Sequence, residues 1–175
     1  MTTLGTDVYA CVFGGDIYKQ TNGTGSFVAL GQTSRNWHKM TTLGTDVYAS
    51  VDNGDIYKQT NGTGSFVALS QTSRLWTGMT TLGTDVYACV FGGDIYKQTN
   101  GTGDFIALGQ TIRNWLGMTT LGTNVYASVY GGDIYLLNAG GVTSIGRSLE
   151  VILTRTGAAS LPYVSVTANC QVIHP

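Results

Sequence analysis

The chain has 175 residues, a net charge of −1 and 11 % charged side chains. This length fits one domain, and the scattered Lys and Arg residues form no basic patch of the kind that nucleic acid or an anionic membrane surface requires. The sequence also lacks an apolar run near the roughly 20 residues that span a bilayer. We therefore expect no nucleic-acid partner and no membrane insertion.

A segment of 39 residues organises the chain: residues 1–39 recur almost unchanged at 40–78 and 79–117, and in part at 118–146. A fixed period in this range marks a solenoid, a propeller or another array in which each unit stacks on its neighbours. We divide the chain into these units and a C-terminal tail, residues 147–175, of unrelated sequence. Residue 1 is in register with the later repeats, so we expect no signal peptide ahead of them.

Each repeat predicts four short strands, most clearly in the second unit. A first apolar run at 40–43 precedes an alternating run at 47–51, and residues 52–54, Asp-Asn-Gly, are a tight hairpin signal. The run at 56–59 returns antiparallel, and 66–69 forms the fourth strand after another Gly-rich turn. No helical period appears. Four strands in about 40 residues predict the blade of a β-propeller.

The fourth repeat departs from the others after Tyr135, and we expect residues 142–146 to supply its outer strand. The tail predicts further strands at 149–154 and 163–173. A lone hairpin is marginal in water, so we expect the tail to pack on the blades or on another chain. The predicted fold is all-β: a propeller-like array of four-stranded antiparallel blades with a β-rich C-terminal tail.

A Trp ahead of each inner strand, followed by VYASV, a Gly turn, DIYK and FVALG, resembles the repeats of the tachylectin-2 and tectonin-type propellers over residues 1–146. The resemblance implies a lectin or lectin-like propeller that binds a glycan or a glycosylated cell surface. Residues 50–54 also resemble the Asp-box turn, a hairpin staple that is not catalytic. The repeat here is shorter than the tachylectin unit, which leaves less loop for a sugar pocket.

Side chains for catalysis are few. The sequence has two histidines and one glutamate, and no Ser/His/Asp set, metal-spaced His cluster or phosphate loop stands out. We expect no enzymatic activity, no metal and no cofactor. Asp16, Asp55, Asp94 and Asp133 recur just after a Gly in the hairpin. Hydrogen bonding within the turn is favoured there over calcium binding, which needs several oxygen ligands at tight spacing.

The three cysteines are an odd number, and the repeats indicate what two of them require. Cys11 and Cys89 are replaced by Ser50 and Ser128 in the other two repeats. A position that accepts either residue needs a small side chain, so a buried thiol is favoured over a disulfide.

Each junction between repeats carries one indole and one guanidinium group. The candidate ligand-binding residues are Trp37, Trp76, Trp115, Arg35, Arg74 and Arg113. An indole face can stack on the apolar face of a sugar ring, while Arg offers planar donors to its hydroxyls. The alternative is that each Trp wedges between blades as packing and the Arg stacks on it.

The sequence favours a non-enzymatic, multivalent binding or adhesion module, with carbohydrate as the first choice of ligand. The alternative is a structural component of a virus particle or other large assembly, a fibre or decoration protein, since near-identical repeats and a distinct tail also suit an anchored array. Both functions place the protein at a virion or cell-exterior surface rather than in the cytoplasm. We also expect self-association, because an open ring of blades exposes an apolar face.

Overall fold

In the computed structural model, the chain is built from β-strands over the residues that the structure describes, which are 1–138, 141–145, 151–153 and 166–168. The chain comprises two compact units, Met1–Ile145 and Gly146–Pro175. The first unit holds the repeats, and each repeat forms a blade of antiparallel strands. The predicted fold class is confirmed.

The strands follow the repeats. Those of the first repeat are β1 (Thr2–Leu4), β2 (Asp7–Cys11), β3 (Phe13–Gly15), β4 (Ile17–Gln20) and β5 (Val28–Ala29). The second blade contains β6 (Arg35–Leu43), β7 (Asp46–Val51), β8 (Ile56–Gln59) and β9 (Val67–Ala68). The third contains β10 (Trp76–Leu82), β11 (Asp85–Gly93), β12 (Ile95–Gln98) and β13 (Ile106–Ala107). The fourth contains β14 (Arg113–Leu121), β15 (Asn124–Val129), β16 (Ile134–Asn138) and β17 (Gly141–Ser144).

Tight turns join these strands where the sequence predicts them. Single 3-10 turns follow the third strand of the first three blades, at Thr21–Gly23, Thr60–Gly62 and Thr99–Gly101. Each places its Asn in the left-handed region, with φ between 53° and 54°, which Asn tolerates better than most residues. The Asn-Gly sequence at these positions is therefore explained by turn geometry.

The first strand of a blade is longer than the sequence predicts. It is expected from Met40, whereas β6 begins at Arg35. The added residues pair with the hairpin of the preceding blade, since Phe13 lies opposite Asn36. They also receive a hydrogen bond from their own blade, from Asp52 N to the Asn36 carbonyl at 2.8 Å. The strand start thus links two blades.

The core lies between successive blades, and we call each such contact a joint. At the first joint Tyr9 and Ile17 of one blade pack against Trp37, Val47 and other apolar residues of the next. The second and third joints use the equivalent positions, with Ile56 and Ile95 in place of Ile17. Burial of this apolar area, at about 25 cal/mol per Å², is the main stabilising term.

Two recurring hydrogen bonds align the joints. The Tyr9 hydroxyl donates to the Gly62 carbonyl at 3.2 Å, and Tyr48 donates to Gly101 at 3.1 Å. The backbone N–H of Phe66 donates to Gln32 Oε1 at 2.9 Å. Phe105 N and Gln71 Oε1 repeat that contact at 2.9 Å. The first two joints therefore reuse one set of residue pairs, offset by one period.

In the second unit, β18 (Val151–Leu153) pairs antiparallel with β19 (Val166–Ala168). Both strands lie within the stretches that the sequence predicts, 149–154 and 163–173.

Candidate functional site

The tryptophans lie inside the joints. Trp37, Trp76 and Trp115 are 2 %, 1 % and 0 % exposed. Trp37 meets the ring of Tyr57 edge-on at 5.0 Å between centroids, and the other two indoles contact the equivalent tyrosines in the same way. No indole face is open to a sugar ring in this structure. Their geometry fits the packing alternative and not the stacking that the sequence suggested.

The three arginines stack on tyrosine and not on tryptophan. The guanidinium carbons of Arg35, Arg74 and Arg113 lie 4.9, 4.8 and 4.7 Å from the ring centroids of Tyr57, Tyr96 and Tyr135. All three side chains are half-buried. Within the described part of the chain, no guanidinium has a hydrogen-bond or salt-bridge partner, so their N–H donors are available to a ligand.

A row of varied side chains runs along one end of the blades, which we call the hairpin rim. Two kinds of segment alternate along the rim. One is the tip of the hairpin between the second and third strands of a blade, and the other is the start of the first strand of the next blade. Backbone contacts make the rim continuous. They begin at the Phe13 and Asn36 pair, continue through Leu75 and end at Tyr130, whose N–H donates to the Asn114 carbonyl at 2.8 Å. Its residues are Phe13, Asn36, Asp52, Leu75, Phe91, Asn114 and Tyr130.

Two places on the hairpin rim pair an aromatic ring with an amide. Phe13 lies opposite Asn36, and Phe91 lies opposite Asn114, and residues directly opposite in antiparallel strands have adjacent side chains. Phe13 is 61 % exposed and Tyr130 66 %; Tyr130 contacts the Phe91 ring at 6.1 Å. Neither amide side chain has a hydrogen-bond partner among the described residues, so each can bind an external group.

The opposite end of the blades is polar, but its groups satisfy one another. In the first blade Thr6 Oγ1 donates to Asn22 Oδ1 at 2.8 Å, and Asn22 N donates to Asp7 Oδ1 at 2.9 Å. Lys19 Nζ lies 2.6 Å from Asp7 Oδ2. The hydrogen bond from Lys19 lowers the pKa of Asp7 and raises the pKa of Lys19. These partnered groups leave little for a ligand, and the next two blades repeat the arrangement.

The recurring hairpin aspartates act as turn staples. The Asp16 carboxylate accepts hydrogen bonds from Ile17 N at 2.6 Å, from Gly31 N at 2.8 Å and from Gln32 N at 2.8 Å. Asp94 accepts the equivalent three. In the part of the chain that the structure describes, no group of three or more His, Cys, Asp or Glu side chains has a geometry for a metal ion. The contacts support the turn interpretation of these residues.

Two of the cysteines are at least partly enclosed. Cys11 is half-buried and Cys89 buried, and neither forms a disulfide. Burial raises the pKa of Cys89 to about 11, which disfavours the reactive thiolate. Cys170 lies outside the described residues. Nor does the described part of the chain contain a helix with the length and apolar character to cross a membrane.

Sequence reasoning missed the hairpin rim. The signal was present, since Phe13, Asp52, Phe91 and Tyr130 differ between repeats that are otherwise almost identical. Repeat-to-repeat variation is restricted among the apolar residues of the joints, which must fit their neighbours, and is tolerated at exposed tips. The rim is one of the places where the repeats differ; the position of His38, Thr77 and Leu116 is another.

No family model and no curated protein matches this sequence. Solved structures do match. The computationally designed Ika4 protein superposes with a TM-score of 0.63 at 16 % identity, over 77 % of this chain and 86 % of that one. BamB from Moraxella catarrhalis matches with a TM-score of 0.57 at 23 % identity, over 73 % of this chain. YCF48 from Cyanidioschyzon merolae matches at 0.58 and 10 %, over 82 % of this chain.

The chain spans 39 % of the BamB chain and 56 % of the YCF48 chain. These structures are β-propellers, and at such low identity their likeness concerns the fold alone. The tachylectin or tectonin part of the sequence resemblance stays a prediction. The repeats of this chain form a β-propeller array.

Proposed function

We propose that the protein is a non-enzymatic, multivalent binding module whose ligand is carbohydrate, carried on a polysaccharide or a glycosylated surface. One observation supports this most directly: the hairpin rim pairs aromatic rings, exposed at Phe13 and Tyr130 and half-buried at Phe91, with amides that have no partner among the described residues. The pairs are Phe13 with Asn36 and Phe91 with Asn114, the second extended by Tyr130.

The chemistry of these pairs suits a sugar. An aromatic ring face attracts the weakly positive C–H face of a pyranose, while an Asn amide both donates to and accepts from hydroxyl groups. The half-buried Arg35 and Arg113 precede the two asparagines in sequence and offer further planar donors. The small net charge of −1 favours neutral glycans over polyanions.

The proposed contacts are shallow, so each is expected to be weak alone. A site of this size binds a monosaccharide near millimolar, about −4 kcal/mol. Simultaneous binding of linked sites raises the effective affinity by about 10²–10⁴. The protein should therefore bind an immobilised polysaccharide or a cell surface much better than it binds free sugar.

The second repeat provides a natural control for this proposal. It carries Asp52 and Leu75 where the neighbouring blades carry aromatic and amide residues, yet it forms the same blade. Replacing the rim aromatic by Asp is therefore compatible with the fold.

The test is a triple variant, Phe13→Asp, Phe91→Asp and Tyr130→Asp, compared with wild type on a broad panel of immobilised glycans. We expect wild type to be retained and the variant to lose about tenfold or more of its retention, because all stacking faces are removed. The matched control places three acids off the rim, at Val28, Val67 and Ile106, which are 66 %, 65 % and 64 % exposed. Equal loss in both variants would show a charge effect and contradict the rim site.

A second function has its own support. Both end faces of the array expose residues that are buried in the internal joints, which suits a component of a larger assembly. Failure of wild type to bind any glycan on the panel would overturn the carbohydrate proposal and leave this second function as the better one.

A further inference from the structure

The fourth blade presents one half of a joint with nothing packed on it. Ile134 is 51 % exposed, whereas Ile17, Ile56 and Ile95, its equivalents in the other blades, are fully buried. Leu121 is 72 % exposed, although its equivalents Leu4 and Leu43 pack against the next blade at Gly62 and Gly101. A shallow apolar hollow lined by Met118, Tyr126 and Ala127 lies on this face.

The first blade presents the other half. Phe27 is 39 % exposed, whereas its equivalents Phe66 and Phe105 are 7 % and 6 % exposed. Ala10 is half-buried where Ala49 and Ala88 are fully buried. Gly23 is exposed, while Gly62 is half-buried and Gly101 is buried beneath the preceding blade.

The hydrogen-bond groups of the two faces are complementary as well. In the first two internal joints a Gln side chain of one blade accepts from a Phe N–H of the next. Phe27 N on the first blade has no such partner among the described residues. The Tyr126 hydroxyl likewise donates to no described carbonyl, whereas Tyr9 and Tyr48 donate to the Gly of the next blade.

We propose that the fourth blade of one copy docks on the first blade of a second copy, and that two copies close head to tail into one ring. The occupant of each open face is thus a second copy of this chain. Tyr126 donates to the Gly23 carbonyl of that copy, and Leu121 packs over the same glycine.

The number of copies follows from the blade count. Four blades leave both end faces open, so this ring needs more than four. Propellers typically hold four to eight blades; two copies give eight, and three would exceed that range. Two head-to-tail contacts related by a twofold axis then satisfy both faces and end the assembly.

The test uses full-length chains and measures mass in solution by light scattering after size exclusion, from micromolar to submillimolar concentration. Wild type is expected at twice the 18.5 kDa chain mass. Ile134→Glu on the fourth blade and Ala10→Glu on the first should each weaken the dimer by about 10²-fold or more, because each places an unpaired charge in the apolar joint. Val67→Glu, 65 % exposed on an outer strand, is the control and should remain dimeric.

Mixing the two variants tests the head-to-tail arrangement. Each alone has no intact joint, but the mixture has one, formed by the fourth blade of the Ala10→Glu chain and the first blade of the Ile134→Glu chain. Recovery of dimer in the mixture supports the proposal. Should either glutamate unfold its blade by circular dichroism, Leu121→Glu and Phe27→Glu replace the pair, since both positions are exposed.

Three results would overturn the proposal. A wild-type monomer at every concentration would show that the faces do not dock on a second copy. Dissociation by only one of the two glutamates would indicate a symmetric contact between identical faces. Species larger than two copies would exclude the closed ring.

Discussion

At the scale of single residues, Ser70 lies in a backbone conformation that suits glycine. Its φ is 57°, and the equivalent residues Gly31 and Gly109 have φ of 66° and 68°. A left-handed conformation costs a non-glycine residue about 1–2 kcal/mol. Both glycines also donate N–H to the hairpin aspartate at 2.8 Å. The second repeat is therefore strained at this turn.

We predict that Ser70→Gly raises the free energy of unfolding by about 1 kcal/mol, or about 2–4 °C in melting temperature. The reciprocal change, Gly109→Ser, should lower it by a similar amount. Thermal unfolding of both variants measures the two effects. If Ser70→Gly is destabilising, the strain assigned to this turn is wrong.

The tryptophans separate into two kinds by their indole N–H. Trp76 Nε1 donates to the Gly54 carbonyl at 3.0 Å, whereas Nε1 of Trp37 and of Trp115 is buried without a partner in the described structure. A hydrogen bond of this type contributes about 0.5–1.5 kcal/mol, and an unsatisfied buried donor is itself unfavourable. The three indoles pack alike, but only the Trp76 N–H is hydrogen-bonded, so burial of the other two N–H groups is less favourable.

We predict that Trp76→Phe destabilises the protein by about 1 kcal/mol more than Trp37→Phe, because only the first change removes a hydrogen bond. Urea unfolding followed by circular dichroism compares the variants. Glycan retention should be unaffected by either change as long as the blades remain folded. If either variant lost glycan retention without losing stability, the tryptophans would be part of the binding site and the assignment to the rim would be wrong.

At the scale of elements, the 3-10 turns are fitted to the blade that precedes them. A Cβ on Gly101 would lie 2.5 Å from Leu43 Cδ2 and 3.1 Å from the Tyr48 hydroxyl. A Cβ on Gly23, which has almost the same φ, would meet only the Thr6 carbonyl at 3.5 Å. These turns share one backbone and differ in whether another blade covers them.

We predict that Gly101→Ala costs about 1–3 kcal/mol more than Gly23→Ala in the monomer, because only the first change overpacks a joint. Chemical unfolding at low protein concentration, where the monomer dominates, isolates this difference. If the two changes lower the free energy of unfolding equally, the positive φ alone determines the loss of stability, and contact with the preceding blade does not contribute.

The sequence predicts most strands correctly because two signals coincide in every repeat: alternation of apolar residues and Asn or Gly at the turns. The sequence does not predict the start of the first strand. Arg35 and Asn36 pair with the hairpin tip at Gly15 and Phe13, which belongs to another repeat, so the pattern of one repeat gives them no partner. The outer strand is shorter than expected, with Val67–Ala68 forming the ladder. Pairing between repeats is not visible in the pattern of one repeat.

At the scale of the whole molecule, repetition determines what could and could not be predicted. The period gives the blades, and the number of repeats gives the two open end faces that motivate self-association. Sequence alone does not indicate which aromatic residue of a repeat is buried. Trp has the larger apolar surface and fills the joint, while Phe13 and Tyr130, at the hairpin tips, are left exposed.

One division of roles emerges for the array. The apolar residues of the joints are nearly invariant between repeats because each must fit the next blade, whereas the hairpin rim varies. A ring of two copies would place the rim sites of both chains in one assembly and so multiply their valency. We propose that glycans bind at the rim.

Amide NMR spectra recorded with and without a retained glycan test that claim most directly. We predict that the backbone signals of residues 13–15, 35–36, 91–93, 113–114 and 130–131 shift, while the indole N–H signals of Trp37 and Trp115 and the amides of residues 6–7 and 22–24 at the opposite end do not. Shifts confined to the indoles or to the opposite end would contradict the assignment of the site to the hairpin rim.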